Sequence, residues 1–284
     1  MQVIEDPKQL RNVIKAHKQQ GKKIGFVPTM GNLHQGHLTL VKETQQHSEL
    51  SVVSIFVNPM QFNNAQDLAN YPKTLAEDCQ KLEQAGVDIV FTPAAEVIYP
   101  NGLTTQTFVE VPGLSDSLEG ELRPGHFRGV STIVTKLFNL VQPDIACFGE
   151  KDFQQLSIIQ QMVVDLAMPI KIIPVATVRE PSGLAMSSRN NKLTQTEKLI
   201  APKLAEVMTD LAKGVQLNAS NTTQLIDDAC QTLDNSGFKT DEIHVVDPLT
   251  LAPLNTASKQ AVILMAAYLG DTRLIDNIVV DLHL

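Results

Sequence analysis

Lys23-Ile-Gly-Phe-Val-Pro-Thr-Met-Gly-Asn-Leu-His-Gln-Gly-His37 is the stretch that decides the fold. Lys23 to Pro28 is a short apolar run closed by proline, the pattern of a buried strand. Gly31 to Gly36 is a turn region, and His37 to Gln46 carries Leu38, Leu40 and Val41 at helical spacing. The same alternation recurs downstream. Strands are expected at Ser51–Val57, Val87–Phe91, Asp144–Gly149 and Ile170–Val178, and helices at Thr74–Ala85, Val130–Val141 and Asp152–Leu166. Apolar strands alternating with helices predict a parallel sheet covered on both faces, a Rossmann-like doubly wound α/β domain over residues 1–176.

The pattern changes near residue 176. Helices over Thr194–Lys213 and Asn221–Leu233 are followed by strands at Glu242–Val246, Gln260–Leu269 and Arg273–Leu282. Helices and then consecutive strands predict a smaller α+β domain with an antiparallel sheet, residues 177–284.

Composition narrows the function classes. The chain has 284 residues, 43% hydrophobic and 19% charged, which is ordinary globular composition. Its 23 basic and 31 acidic residues leave a net charge of −8, a poor default for binding nucleic acid or an anionic membrane. An anionic substrate would need a local concentration of donors. Cys79, Cys147 and Cys230 form no C-x-x-C pair, so neither a disulfide framework nor a thiolate zinc site is expected; they read as buried reduced thiols. The first residues lack a basic segment followed by an apolar one, and the longest apolar run, Ala261–Leu269, is too short to span a bilayer. The expectation is a soluble cytoplasmic protein.

In parallel sheets ligands bind at the carboxyl ends of the strands. Three expected strands are followed there by unusual residues: Thr29–His37, Asn58–Gln61 and Gly149–Asp152. Gly31 and Gly36 allow close backbone approach, and the helix start that follows favours an anion. His34 and His37, three apart, face one side of a first helical turn and can donate to phosphate oxygens. They could instead be surface histidines, or half of a zinc site, but no nearby Cys or third His completes one. Lys151 offers phosphates a point charge, while Asp152 reads as a helix cap or a magnesium ligand. Met186-Ser-Ser-Arg189 sets two hydroxyls and a guanidinium on a Gly-flanked loop, suited to a polyphosphate or to nothing but solvent. Asn58, Gln61 and Gln155 are neutral groups that suit a hydroxyl or a carboxylate better than a metal. Arg123-Pro-Gly-His-Phe-Arg-Gly129 is donor-rich and could bind an anion or seat a partner subunit; it is left outside the site.

A histidine pair after the first strand and a late Ser-Ser-Arg loop resemble the nucleotidyltransferase superfamily and its H-x-G-H element. The likeness extends further. Pro28 to His37, Ile55 to Phe62, Arg123 to Gly129, Phe148 to Gln155 and Met186 to Asn190, in that order, resemble the pantothenate synthetase (pantoate–β-alanine ligase) family. The resemblance runs over nearly the whole chain and is densest from residue 23 to 192.

The resemblance implies an enzyme that condenses pantoate, β-alanine and ATP into pantothenate, AMP and pyrophosphate through a pantoyl adenylate, with Mg²⁺ held mainly by the ATP phosphates. It implies ATP contacts from Met30, Gly31, Asn32, Leu33, His34, Gln35, Gly36, His37, Gly149, Glu150, Lys151, Asp152, Val178, Met186, Ser187, Ser188 and Arg189. His37, His34 and Lys151 would be catalytic, with His37 as proton donor. Gln61 and Gln155 would hold pantoate, and Gln61 would also border the β-alanine site. A homodimer is implied, with the smaller domain covering the ATP site. The alternatives are a nucleotidyltransferase acting on a phosphate ester, an aminoacyl-tRNA synthetase, and a silent ATP binder. The neutral Asn58/Gln61/Gln155 group, the short acidic chain and the need for a second-substrate pocket argue against them in turn.

Overall fold

The alternation becomes a six-stranded parallel sheet: β1 (Gln2–Ile4), β2 (Ile24–Thr29), β3 (Leu50–Ile55), β4 (Ile89–Phe91), β5 (Ile145–Gly149) and β6 (Lys171–Val175), in the order β1-β4-β3-β2-β5-β6. Every pairing is parallel, with β2 central against β3 and β5. Strand periodicity sends alternate side chains to opposite faces. Phe26, Val52, Phe91, Ala146 and Phe148 enter one buried cluster, whereas Val27, Val53, Val90 and Cys147 enter another. Both faces are therefore covered, as the apolar runs require. On the first face Phe138, from the helix His126–Val141, meets Phe26 edge-on at 6.2 Å.

The computed structural model describes residues 1–282. The chain divides into two compact units, Met1–Gly149 with Gln154–Val175, and Glu150–Phe153 with Ala176–Leu284. The second unit carries an antiparallel sheet of β7 (Lys239–Val246), β8 (Gln260–Leu269) and β9 (Thr272–Asp281), with β8 in the middle. Its core joins Ile263, Met265 and Leu274 to Leu204, Leu211 and Val215 of the helix Lys203–Leu217 and to Leu233 of Thr222–Asn235.

Several expectations need correction. The short strand β1 has only one buried residue, Ile4, too little to register as a periodic signal. The expected helix over 194–213 is two helices, Gln195–Ile200 and Lys203–Leu217, because Pro202 has no N–H to continue the ladder. The helix expected from Val130 begins at His126. The strand expected to reach Val57 stops at Ile55, where the chain turns towards the site, and the one expected to reach Val178 stops at Val175. All three cysteines are free, but only Cys147 is fully buried; Cys79 and Cys230 are half-buried.

Candidate active site

The loop after β2 is held from beneath by a carboxylate. Asp78, wholly buried on the helix Leu75–Gln84, accepts the Asn32 N–H through Oδ2 and the Leu33 N–H through Oδ1, each at 2.8 Å. Thr74 Oγ1 also donates to Oδ2, at 2.9 Å. Lys81 donates to the Leu33 carbonyl at 2.8 Å. This grip sustains a left-handed backbone at Gly31 (φ 84°) and Asn32 (φ 51°). Asp78 was not among the expected site residues: it lies 46 positions from Asn32 and carries no motif of its own.

The loop runs into the helix Gln35–His47, for which His34 is the N-cap. His34 Nδ1 accepts the Gly36 N–H at 3.1 Å, and His37 Nδ1 accepts the His34 N–H at 3.2 Å. This is a capping box built from two imidazoles, whose rings lie 4.2 Å apart. An Nδ1 that accepts a backbone N–H leaves the neutral ring's proton on Nε2. Both histidines are thereby set as Nε2–H donors. Gly36 is required here, because a Cβ would stand 2.8 Å from His34 Cε1.

Gln61 lies beside this loop. It is buried in the single turn Pro59–Gln61 after β3, and its Nε2 sits 3.2 Å from Met30 Sδ. Its amide orientation follows from a chain of fixed partners. Asn58 Oδ1 accepts the Tyr99 hydroxyl at 2.7 Å and the Met60 N–H at 3.3 Å. Asn58 Nδ2 donates to the Gly129 carbonyl and to Gln61 Oε1, both at 3.0 Å. A backbone donor at one end and a backbone acceptor at the other allow only this setting of the Asn58 amide. Gln61 must then present its NH₂, a donor end. Burial pushes the Tyr99 phenol above its usual range, so it remains the O–H donor that the chain needs.

Asn58, expected to face a ligand, thus spends its side chain on bracing Gln61. The Arg123–Gly129 stretch also gains a role. His126 Nδ1 donates to the Gln61 carbonyl at 2.8 Å, and Gly129 touches the Met60–Gln61 backbone. Gln155 is half-buried in the first turn of the helix Phe153–Asp165. Its neighbour Gln154 is buried, donating to the carbonyls of Leu114 and Ser117 at 2.9 and 2.7 Å.

The remaining expected residues belong to the second unit, apart from Gly149 at the end of β5. Lys151 and Asp152 lie in a 3₁₀ turn, Glu150–Asp152, which runs into the following helix. Asn277 on β9 donates to the carbonyls of Glu150 and Lys151 at 2.9 and 2.8 Å. Val178 accepts the Met186 N–H at 2.9 Å across a small hairpin that also pairs Arg179 with Ala185. Ser187 caps the turn Ser188–Lys192, its hydroxyl accepting the Arg189 N–H at 3.2 Å.

Among the described residues no group of three or more His, Cys, Asp or Glu is placed to hold a metal ion. The donors present, imidazole, amide, ammonium, guanidinium and hydroxyl, suit phosphate and carboxylate oxygens.

A parallel sheet whose second strand leads into a histidine-capped helix is the arrangement of a nucleotidyltransferase-like fold. The chain belongs to the pantoate–β-alanine ligase family: the family described as Pantoate-beta-alanine ligase matches residues 2–279. A pantothenate synthetase of Psychromonas ingrahamii is 67% identical over 283 residues, covering 100% of this chain and 98% of the relative. That of Aeromonas hydrophila is 60% identical over 282 residues, covering 99% of each. The crystal structure of pantothenate synthetase from Thermus thermophilus superposes with a TM-score of 0.85 at 38% identity, covering 98% of this chain and 99% of that one. The Francisella tularensis pantoate-beta-alanine ligase, solved in complex with beta-gamma ATP and beta-alanine, gives 0.81 at 39% identity, covering 98% and 97%.

Proposed function

We propose that the chain joins pantoate to β-alanine in two steps, with the following division of labour. A carboxylate is inert to an amine at neutral pH. Attack by the pantoate carboxylate on the α-phosphorus of ATP forms the pantoyl adenylate and expels pyrophosphate. The amine of β-alanine then attacks the acyl carbon, and AMP leaves as pantothenate forms. No covalent protein nucleophile is needed; the work is positioning and neutralising charge.

From the first unit, Met30 to His37 and Gly149 are assigned to ATP. His34 and His37 would direct their Nε2–H donors at phosphate oxygens, with His37 as the proton donor. Gln61, as a donor, suits an oxygen of pantoate, and so faces a carboxylate or hydroxyl rather than an ammonium. Gln155 is the second pantoate ligand, and Gln61 also borders β-alanine. From the second unit, Glu150, Lys151, Asp152, Val178, Met186, Ser187, Ser188 and Arg189 are assigned to ATP, with Lys151 and Arg189 offsetting phosphate charge. Mg²⁺ is taken to arrive on the nucleotide, where it would shield the phosphate oxygens, in keeping with its tendency to bind phosphates and retain water.

The observation that supports this reading is the contact between Gln61 Nε2 and Met30 Sδ, 3.2 Å, since it sets the residue assigned to pantoate beside the histidine-bearing loop. A cytoplasmic homodimer is the proposed state, supported by the family resemblance and checked by sedimentation. No helix among the described residues is long and apolar enough to cross a membrane.

The deciding experiment is exchange of labelled pyrophosphate into ATP with Mg²⁺ and without β-alanine. Exchange that depends on pantoate is expected. No exchange, and no pantothenate once β-alanine is added, would overturn the reading.

A further inference from the structure

Two adjacent residues of β9 hold the two phosphate-directed segments of the second unit. Asn277 is buried, and its Nδ2 donates to the carbonyls of Glu150 and Lys151. Asp276 is buried too, and its carboxylate takes a two-pronged grip from Arg179, Nη1 to Oδ2 at 2.6 Å and Nη2 to Oδ1 at 2.9 Å. Arg179 Nη1 also donates to the Gly183 carbonyl at 3.1 Å, which closes the hairpin leading to Met186. Farther along, Asn190 Nδ2 donates to Glu180 Oε1 and the Ala185 carbonyl of that hairpin, at 2.9 and 3.1 Å.

Successive strand residues face opposite sides. Asp276 shares its face with Leu274 and Ile278 of the core, and Asn277 lies on the other. One strand thus grips a different segment on each side. The pair is only partly buried, Arg179 being 31% exposed against 1% for Asp276, and apolar residues of similar volume could pack the same sheet face. Its presence calls for a role in placement.

We propose that Asp276 and Asn277 are positioning residues, Asn277 setting the turn that carries Lys151 and Asp276, through Arg179, setting the hairpin that carries Met186 to Arg189. The inference rests on the assignment of Lys151 and Arg189 to ATP phosphates. It makes β9 a common reference for the cations that meet the nucleotide.

The test is pantoate-dependent pyrophosphate exchange by the full chain in a double-mutant cycle. Asn277→Ala alone should slow exchange about tenfold or more, the scale of misplacing a charged donor. In the Lys151→Ala background the same change should cost less than about twofold. Asp276→Asn should behave likewise against Arg189→Ala. If Asn277→Ala does not fold, Asn277→Ser, which keeps one donor, enters the same cycle. Losses that multiply, or an Asn277 variant exchanging at the parental rate, would overturn the inference while Lys151→Ala remained slow. Parental exchange by Lys151→Ala would instead overturn the ATP assignment beneath it.

Discussion

Replacing Asp78 by Asn probes whether the histidine loop is held from the core. The carboxylate receives three donors, two N–H groups at 2.8 Å and the Thr74 hydroxyl at 2.9 Å. An amide of the same shape has one acceptor oxygen. If that oxygen occupies the Oδ2 position, Asn32 and Thr74 keep a partner, but the new NH₂ faces the Leu33 N–H. If the amide flips, the clash moves to Asn32. Either way one charge-assisted bond is lost and one buried N–H goes unmet, a cost of roughly 2–4 kcal/mol. Much of that cost can be relieved by letting residues 31–33 lift, which carries the cap at His34 with them. The expected outcome is a lower urea midpoint by circular dichroism and a fall of ten- to a hundredfold in pantoate-dependent pyrophosphate exchange, the order of loss for about 1 Å of misplacement. Thr74→Ala, which removes only the third donor, should cost about 1 kcal/mol. An Asp78→Asn protein with parental midpoint and parental exchange would refute the reasoning.

Other consequences follow from the same contacts. Tyr99→Phe removes the donor to Asn58 and loosens the Gln61 amide, so KM for pantoate should rise about fivefold with kcat nearly unchanged, read from steady-state kinetics. Gly129→Ala would place a Cβ 2.6 Å from the Met60 carbonyl oxygen and 2.8 Å from the Gln61 nitrogen. Backbone has to move, so pantoate binding should weaken more than in Tyr99→Phe, with a stability loss of about 1–3 kcal/mol by denaturant titration. Burial pushes the Cys147 thiol up to about 11 from an ordinary 9.0. Between those values the native state holds a proton that the unfolded chain has released, so stability falls as pH rises from about 9 to 11. Cys147→Ala should flatten that fall in unfolding titrations.

The middle of the sheet was legible because β2, β3, β4 and β5 are buried on both faces and read as apolar runs between turn residues, whereas β1, with Ile4 its one buried residue, was not. The break at Pro202 was missed in the single helix expected over 194–213, although proline's missing N–H is a local property. Local chemistry also marked His34, His37 and Gly36, because a helix start, two imidazoles and a close approach lie within four residues.

What sequence could not decide is how neutral and charged side chains divide between ligand and scaffold. Asn58 and Gln61 look alike along the chain; tertiary contacts with Tyr99 and Gly129 turn the first into a brace and the second into a donor. Asp78 and the Asp276–Asn277 pair are distant in sequence from the loops they hold, and no spacing rule connects them. Apolar periodicity reports which side of an element is buried, and that follows from neighbours along the chain. The partner of a buried polar atom is set by whichever backbone folding brings within 3 Å or so, and only the folded structure contains that distance.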